Sequence, residues 1–238
     1  MLLFLAIPLV ALLRHAPDSL GAAIRSADTY QAIVVSLRTT AISLLLTLVC
    51  GTPLAILLGR GHFPGRGFVG ALVEAPVVLP PAAAGIGLLL AFGRKGLIPT
   101  GLPFTAGAVV LAQLFVSAPL FIQPLAAALE GLDPHWQEAA QLDGASSIQT
   151  LRWITLPLVR TTIVSGAVMA WARSLGEFGA TILFAGNLVG TTQTMPLAIY
   201  LGLETDLDQA VGLSVLLMAV AFVVLAAVRG LGRGNGGR

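Results

Sequence analysis

The sequence predicts an all-α integral membrane protein with about six transmembrane helices, and three observations predict it. Of 238 residues, 56% are hydrophobic and only 10% charged, whereas soluble domains carry roughly 25% charged residues. Mean hydropathy is +0.92, and a water-soluble fold of this size has too little interior to hide so much apolar surface. The apolar residues also fall in runs of span length. The alternating strands of an outer-membrane barrel would be about ten residues long, so helices are the better reading. A soluble globular enzyme, a disordered chain and a collagen-like fibre are excluded. Cys50 is the single cysteine, which rules out an intrachain disulfide framework or a multi-cysteine metal cluster. The net charge is only +2, and no basic run suggests nucleic acid.

In chain order, the apolar stretch 1–13 is short for a span of about 20 residues. It reads as a short or tilted first helix. A signal peptide is the alternative, although no basic residue precedes the run. Spans follow over 33–58, 68–92, 104–129, 158–183 and 211–228. Prolines punctuate them at Pro8, Pro53, Pro76, Pro80, Pro81, Pro119 and Pro124. Membrane helices tolerate such breaks where neighbours or cavity water satisfy the freed backbone groups. Pro80-Pro81 is the strongest break, and Gly85 and Gly87 beyond it allow close helix contact. Segments 15–32, 130–157 and 184–210 connect spans. The chain thus divides into an N-terminal helix and loop over 1–32, a transmembrane domain over 33–229 and a flexible tail over 230–238.

Several chemistries are absent. No GxxxxGK[ST] phosphate loop occurs, and the single lysine, Lys95, is followed by Gly96. The chain is therefore not expected to hydrolyse ATP itself. His15, His62 and His135 form no HExxH pair, and there is no GxSxG elbow. An intramembrane enzyme lacks a recognisable catalytic pair. A secondary transporter would need internal repeats and a midplane site, and neither is visible.

The one long polar-to-amphipathic stretch is 130–157, EGLDPHWQEAAQLDGASSIQTLRWITLP. Asp133-Pro134 is a helix start, with a carboxylate cap followed by proline. A short helix is expected over 135–143, stopped by Gly144. Ser146 or Ser147 caps a second helix over 148–155, and Pro157 opens the next span. Two short helices with a glycine corner form a surface knob. Ala139 and Ala140 give it a small flat face, while Trp136, Leu142, Ile148, Leu151 and Ile154 supply apolar contacts. Periodicity leaves two readings open: a docking face for another chain, or a hairpin lying on lipid with Trp136 and Trp153 at headgroup level.

The spacing adds a resemblance. Glu138-Ala139-Ala140, three residues ending in Asp143, Gly144, nine residues, then Ile154-x-Leu156-Pro157 is similar to the EAA loop of the inner-membrane permeases of ATP-binding-cassette importers. The resemblance implies a type I importer permease fold. It also implies that these eight residues lie in a cytoplasmic coupling loop that docks on a separate ATPase subunit. Residues 172–200, ARSLGEFGATILFAGNLVGTTQTMPLAIY, and 63–85, FPGRGFVGALVEAPVVLPPAAAG, closely resemble the molybdate/tungstate permeases. Sulfate permeases have similar loops, so sulfate or another oxyanion is the alternative cargo. The family resemblance further implies a homodimer in the cell inner membrane and an extracytoplasmic oxyanion-binding protein. Two ATPase copies would carry the ATP and Mg, with no cofactor in this chain. With the loop and C-terminus cytoplasmic, seven flanking basic residues lie inside and five outside, the sign that the positive-inside rule requires.

Besides Arg38 and Arg160, counted among the flanking charges, three charges fall within spans. Arg173 and Glu177 lie four residues apart on one predicted helix face. Ionised groups at membrane depth face the bundle interior or a cavity. The pair reads either as a structural tie between helices or as a pathway wall for an oxyanion. Glu74, one or two turns inside its span, needs a partner or a path to water.

Overall fold

Backbone polar groups in a bilayer must be satisfied within the chain, which leaves helices as the solution for apolar runs of this kind. In the computed structural model, every regular element among the described residues 1–233 is helical. Helix α1 covers Leu2–Arg25, α2 Ala27–Arg60, α3 Arg66–Val78, α4 Pro81–Phe92, α5 Ala106–Ser117 and α6 Pro119–Glu130. The knob holds α7, His135–Leu142, then α8, Ser147–Thr150, a π-helical turn Leu151–Thr155 and α9, Leu156–Leu158. Beyond it lie α10 Arg160–Leu175, α11 Gly179–Phe184, α12 Met195–Thr205 and α13 Leu207–Arg233. Among the described residues, Ala27–Arg60, Ala106–Glu130 and Leu207–Val224 are each long and apolar enough to cross a membrane, and three bent pairs raise the number to six.

The bundle is inside-out relative to a soluble fold. Along α2 the buried positions are Ser36, Thr39, Thr40, Ser43, Thr47, Gly51, Ala55 and Gly59, while Leu45, Val49 and Leu57 are exposed. Small residues let helices approach where lipid offers no hydrophobic drive to associate. A Cβ on Gly59 would stand 2.5 Å from the Ala126 carbonyl oxygen, so α2 and α6 meet backbone to backbone. The buried threonine hydroxyls of this stripe are satisfied along the helix itself, whereas Ser43 Oγ has no partner. Thr40 Oγ1 donates to the Ser36 carbonyl at 2.7 Å and Thr47 Oγ1 to that of Ser43 at 2.9 Å. One apolar core joins α2, α6 and α10 through Leu58, Phe121, Leu125 and Ala170. A second joins α4, α5 and α11 through Leu88, Val109, Ala112 and Phe184.

Several expectations are corrected. The first helix bends by 66° between Ala16 and Ser19, a little past its expected end at residue 13, but helical backbone continues to Arg25, and Ser26 then caps α2; segment 15–32 is almost wholly helical. The span expected over 68–92 is two helices bent by 119° at Pro80-Pro81. The run 158–183 is not one helix: the chain turns through 70° at Val159, and α10 ends at Gly176. Segment 184–210 contains α12, whose 11 residues are too few to register as a span. At the C-terminus α13 continues through 230–233, and the rest of the expected tail lies outside the described residues.

Candidate functional site: a surface knob and a buried ion pair

The knob is built by its own capping groups. Asp133 Oδ1 accepts from the His135 N–H at 3.0 Å, which starts α7. Gly144 has φ +83°, the left-handed conformation that glycine adopts at helix ends. Its N–H donates to the Gln141 carbonyl at 3.0 Å, and that of Ala145 to Ala140 at 2.9 Å. Ser146, not Ser147, caps the second helix. Its Oγ accepts from the Gln149 N–H at 3.3 Å, and Gln149 Oε1 accepts from the Ser146 N–H at 2.8 Å. That reciprocal pair is a capping box. The expected helix over 148–155 is α-helical only to Thr150 and then widens into the π-helical turn.

The apolar side chains of the knob are uncovered. Leu142 is 89% exposed, Ile148 76% and Trp153 70%. A groove of about 350 Å³ runs between the two halves, lined by Asp143, Gly144, Gln149, Thr150, Trp153 and Ile154. Of the eight loop residues expected to act together, Asp143, Gly144 and Ile154 share this groove. Glu138 and Ala139 are exposed on α7, whereas Ala140 is buried. Leu156 and Pro157 lie in α9, at the root of the knob.

Arg173 occupies the last turn of α10, and its Nη1 lies 2.7 Å from Glu177 Oε2. Glu177 is not on the helix face but in the connection 176–178. The pairing survives because the chain folds back at Gly176. The Glu177 side chain is 1% exposed and that of Arg173 33%. Glu177 Oε1 also accepts from the Ala180 N–H at 2.8 Å, so one carboxylate ends one helix and begins the next. There α11 meets α4 at backbone distance. A Cβ on Gly179 would lie 2.6 Å from Pro81 Cβ, and one on Gly85 would lie 2.9 Å from the Ala180 carbonyl oxygen. Glu74 is elsewhere. It stands exposed on α3, at a cavity of about 440 Å³ shared with Arg66, Gln123 and Glu130.

Three contacts were not foreseen from the sequence. Arg60 Nη1 donates to Thr155 Oγ1 at 3.3 Å, Arg66 Nη2 lies 2.7 Å from Glu130 Oε2, and the Met195 N–H donates to Ser36 Oγ at 2.7 Å. Arg60 and Arg66 registered only as flanking charges, since no local pattern pairs them with residues 64 to 95 positions away. No group of three or more His, Cys, Asp or Glu gathers as a metal site among the described residues.

Three apolar helices of span length, three bent pairs that bring the crossings to as many as six, and an exposed knob between two of them define a multi-pass membrane protein. The chain belongs to the family of binding-protein-dependent transport system inner membrane components, which it matches over residues 51–231. It is 42% identical over 236 residues to the molybdenum transport system permease protein ModB of Mycobacterium tuberculosis, covering 95% of this chain and 89% of that one. It is 37% identical over 235 residues to the probable transport system permease protein NifC of Clostridium pasteurianum, covering 94% and 82%. Its fold matches a chain of the bacterial alginate ABC transporter solved with its alginate pentasaccharide-bound periplasmic protein. The TM-score is 0.80 at 20% identity, over 98% of this chain and 89% of that one. The type I importer permease fold expected from the sequence is thus the fold observed.

Proposed function

We propose that this chain is the membrane-spanning permease subunit of an ATP-driven importer for molybdate or tungstate. The observation that carries the reading is the knob: a preformed, self-capped and apolar-surfaced groove between α6 and α10, holding the EAA-type spacing. Likeness to the molybdenum permeases over nearly the whole chain supports the cargo. In this reading two copies of the chain pair in the inner membrane around a shared pathway. Two ATPase subunits, which hold the ATP and Mg, dock on the cytoplasmic knobs. An extracytoplasmic binding protein delivers the oxyanion. This chain itself contributes no cofactor and no hydrolysis.

The physics of the cargo fits. A dianion is costly to place in a low-dielectric passage, so the path must be wide and wet, with weak sites that release what they bind. The Arg173–Glu177 pair acts as a structural tie in this account, because a fully buried carboxylate already shared between a guanidinium and a backbone N–H has no spare role at a pathway wall. The test is uptake into vesicles holding this chain and its ATPase, with the binding protein outside. ATP-dependent molybdate uptake, competed by tungstate and poorly by sulfate, is expected. Uptake driven by an ion gradient without ATP would overturn the reading.

A further inference from the structure

The knob touches the bundle at two roots, and both are held by the same short turn. Residues 61–65 join α2 to α3, so Arg60 and Arg66 flank it. Arg60 Nη1 reaches Thr155 Oγ1 at 3.3 Å, at the end of the π-helical turn where the loop returns to the membrane. Arg66 Nη2 reaches Glu130 Oε2 at 2.7 Å, on the last residue of α6, where the loop leaves it. Two arginines six residues apart thus grip residues 25 positions apart on the loop.

The turn itself is rigid. Gly65 takes φ +87°, the Gly61 N–H donates to the Leu57 carbonyl at 2.8 Å, and Phe63 packs on the core formed by Leu58, Leu129 and Val159. Beneath it, Gly59 presses its backbone against Ala126. The knob is less firmly held: α7 packs chiefly on α8 and the π-helical turn, and its large apolar side chains are exposed. Thr155, by contrast, is 1% exposed. Arg60 Nη2 is buried without a partner, an unsatisfied donor that raises the free energy of this arrangement. A π-helical turn carries one extra residue and is a common site of functional rearrangement.

We propose that Arg60 and Arg66 form a two-point clamp that transmits displacement of the coupling loop to the α2–α3 junction, so that they are positioning residues for transport and not merely braces for the fold. The proposal rests on the reading of the knob as the ATPase dock. Without the clamp, the knob stays joined to the bundle only through its two chain connections, at Glu130 and at Val159.

The test uses the full transporter in vesicles, with ATPase and binding protein, and reads molybdate taken up per ATP hydrolysed. Arg60→Met and Thr155→Val each remove the first contact, and Arg66→Glu the second. In each variant that ratio should fall, and less for the Arg66 change, because its ion pair with Glu130 is partly exposed. The Arg66→Glu/Glu130→Arg swap restores the ion pair with reversed polarity and should recover most of the ratio, which a general loss of stability would not do. If Arg60→Met fails to reach the membrane, Thr155→Val and the swap decide. An unchanged ratio in these variants overturns the clamp, as does a proportional loss of uptake and hydrolysis together. Failure of the unaltered chain to retain an ATPase would instead sink the docking reading on which the clamp depends.

Discussion

Removing one half of the Arg173–Glu177 pair should not cost the same as removing the other. Glu177 is 1% exposed, whereas Arg173 is 33% exposed. Arg173→Met strands a buried carboxylate with one remaining partner, the Ala180 N–H, at 2.8 Å. Breaking a buried pair in this way costs about 3–5 kcal/mol. Glu177→Gln keeps an oxygen for the Ala180 N–H and leaves a guanidinium that is less enclosed than the carboxylate, so only a charge-assisted bond is lost, about 1.5–3 kcal/mol. The double variant should resemble Glu177→Gln alone, because a carboxamide needs no counter-charge. Thermal unfolding of the three variants in one detergent is the assay. At about 2–4 °C per kcal/mol, Arg173→Met should melt roughly 6–20 °C below the parent and the double variant should recover part of that. Additive losses in the double variant, or a greater loss in Glu177→Gln than in Arg173→Met, would refute the structural tie. A stable double variant that no longer transports would move Arg173 to the pathway wall.

Four further outcomes are expected. Gly144→Glu places a Cβ where no atom lies within 4 Å, but at φ +83°; it should fold with a strain of about 1–2 kcal/mol and lose its ATPase in co-purification. Gly179→Val drives side-chain atoms into Pro81, 2.6 Å from the added Cβ, and should lower stability by about 1–3 kcal/mol. Ser36→Ala strips the buried Met195 N–H of its acceptor at 2.7 Å and should cost about 1–3 kcal/mol, read as a lower melting temperature. Calorimetry on the detergent-solubilised chain without its binding protein should find no micromolar molybdate site, and selective tight binding would show that specificity resides in the membrane subunit.

What the sequence made legible was whatever depends on composition and local chemistry. Apolar length located the crossings, and Pro80-Pro81 marked the break that the fold makes there. Cap residues located the knob, since Asp133, Gly144 and Ser146 act within four residues of themselves. What stayed hidden depends on partners far along the chain. The break at Gly176 lies in a run read as one span, and what holds it is the Glu177 carboxylate turning to Ala180. The π-helical turn has no signature of its own and ends where Arg60 reaches Thr155. Glu74 illustrates the converse. Its charge within an apolar run left open a partner in the membrane or a path to water, and α3 leaves it exposed beside a cavity.

The positions of the two breaks make mechanical sense together. In the proposed mechanism, force enters at the knob and leaves it through α9, where the chain turns by 70° at Val159. From there α10 runs 16 residues, about 24 Å at 1.5 Å per residue, with Gly166 lying against Phe121 of α6. A straight helix of full span length would carry that motion through to the far surface. Here it ends at Gly176, and the motion passes to α11, which packs on α4 through Gly179 and Gly85. That partner is the second half of the other broken span, so the two outer half-helices move as one packed unit. Their own backbone ends are provided for: Glu177 accepts from Ala180, and Pro81 begins α4 where no N–H is needed. Breaking a helix inside a bilayer is costly unless such partners exist. Each break is satisfied by its own residues, and the close approach of Gly179 to Pro81 and of Gly85 to Ala180 then packs the two breaks against each other.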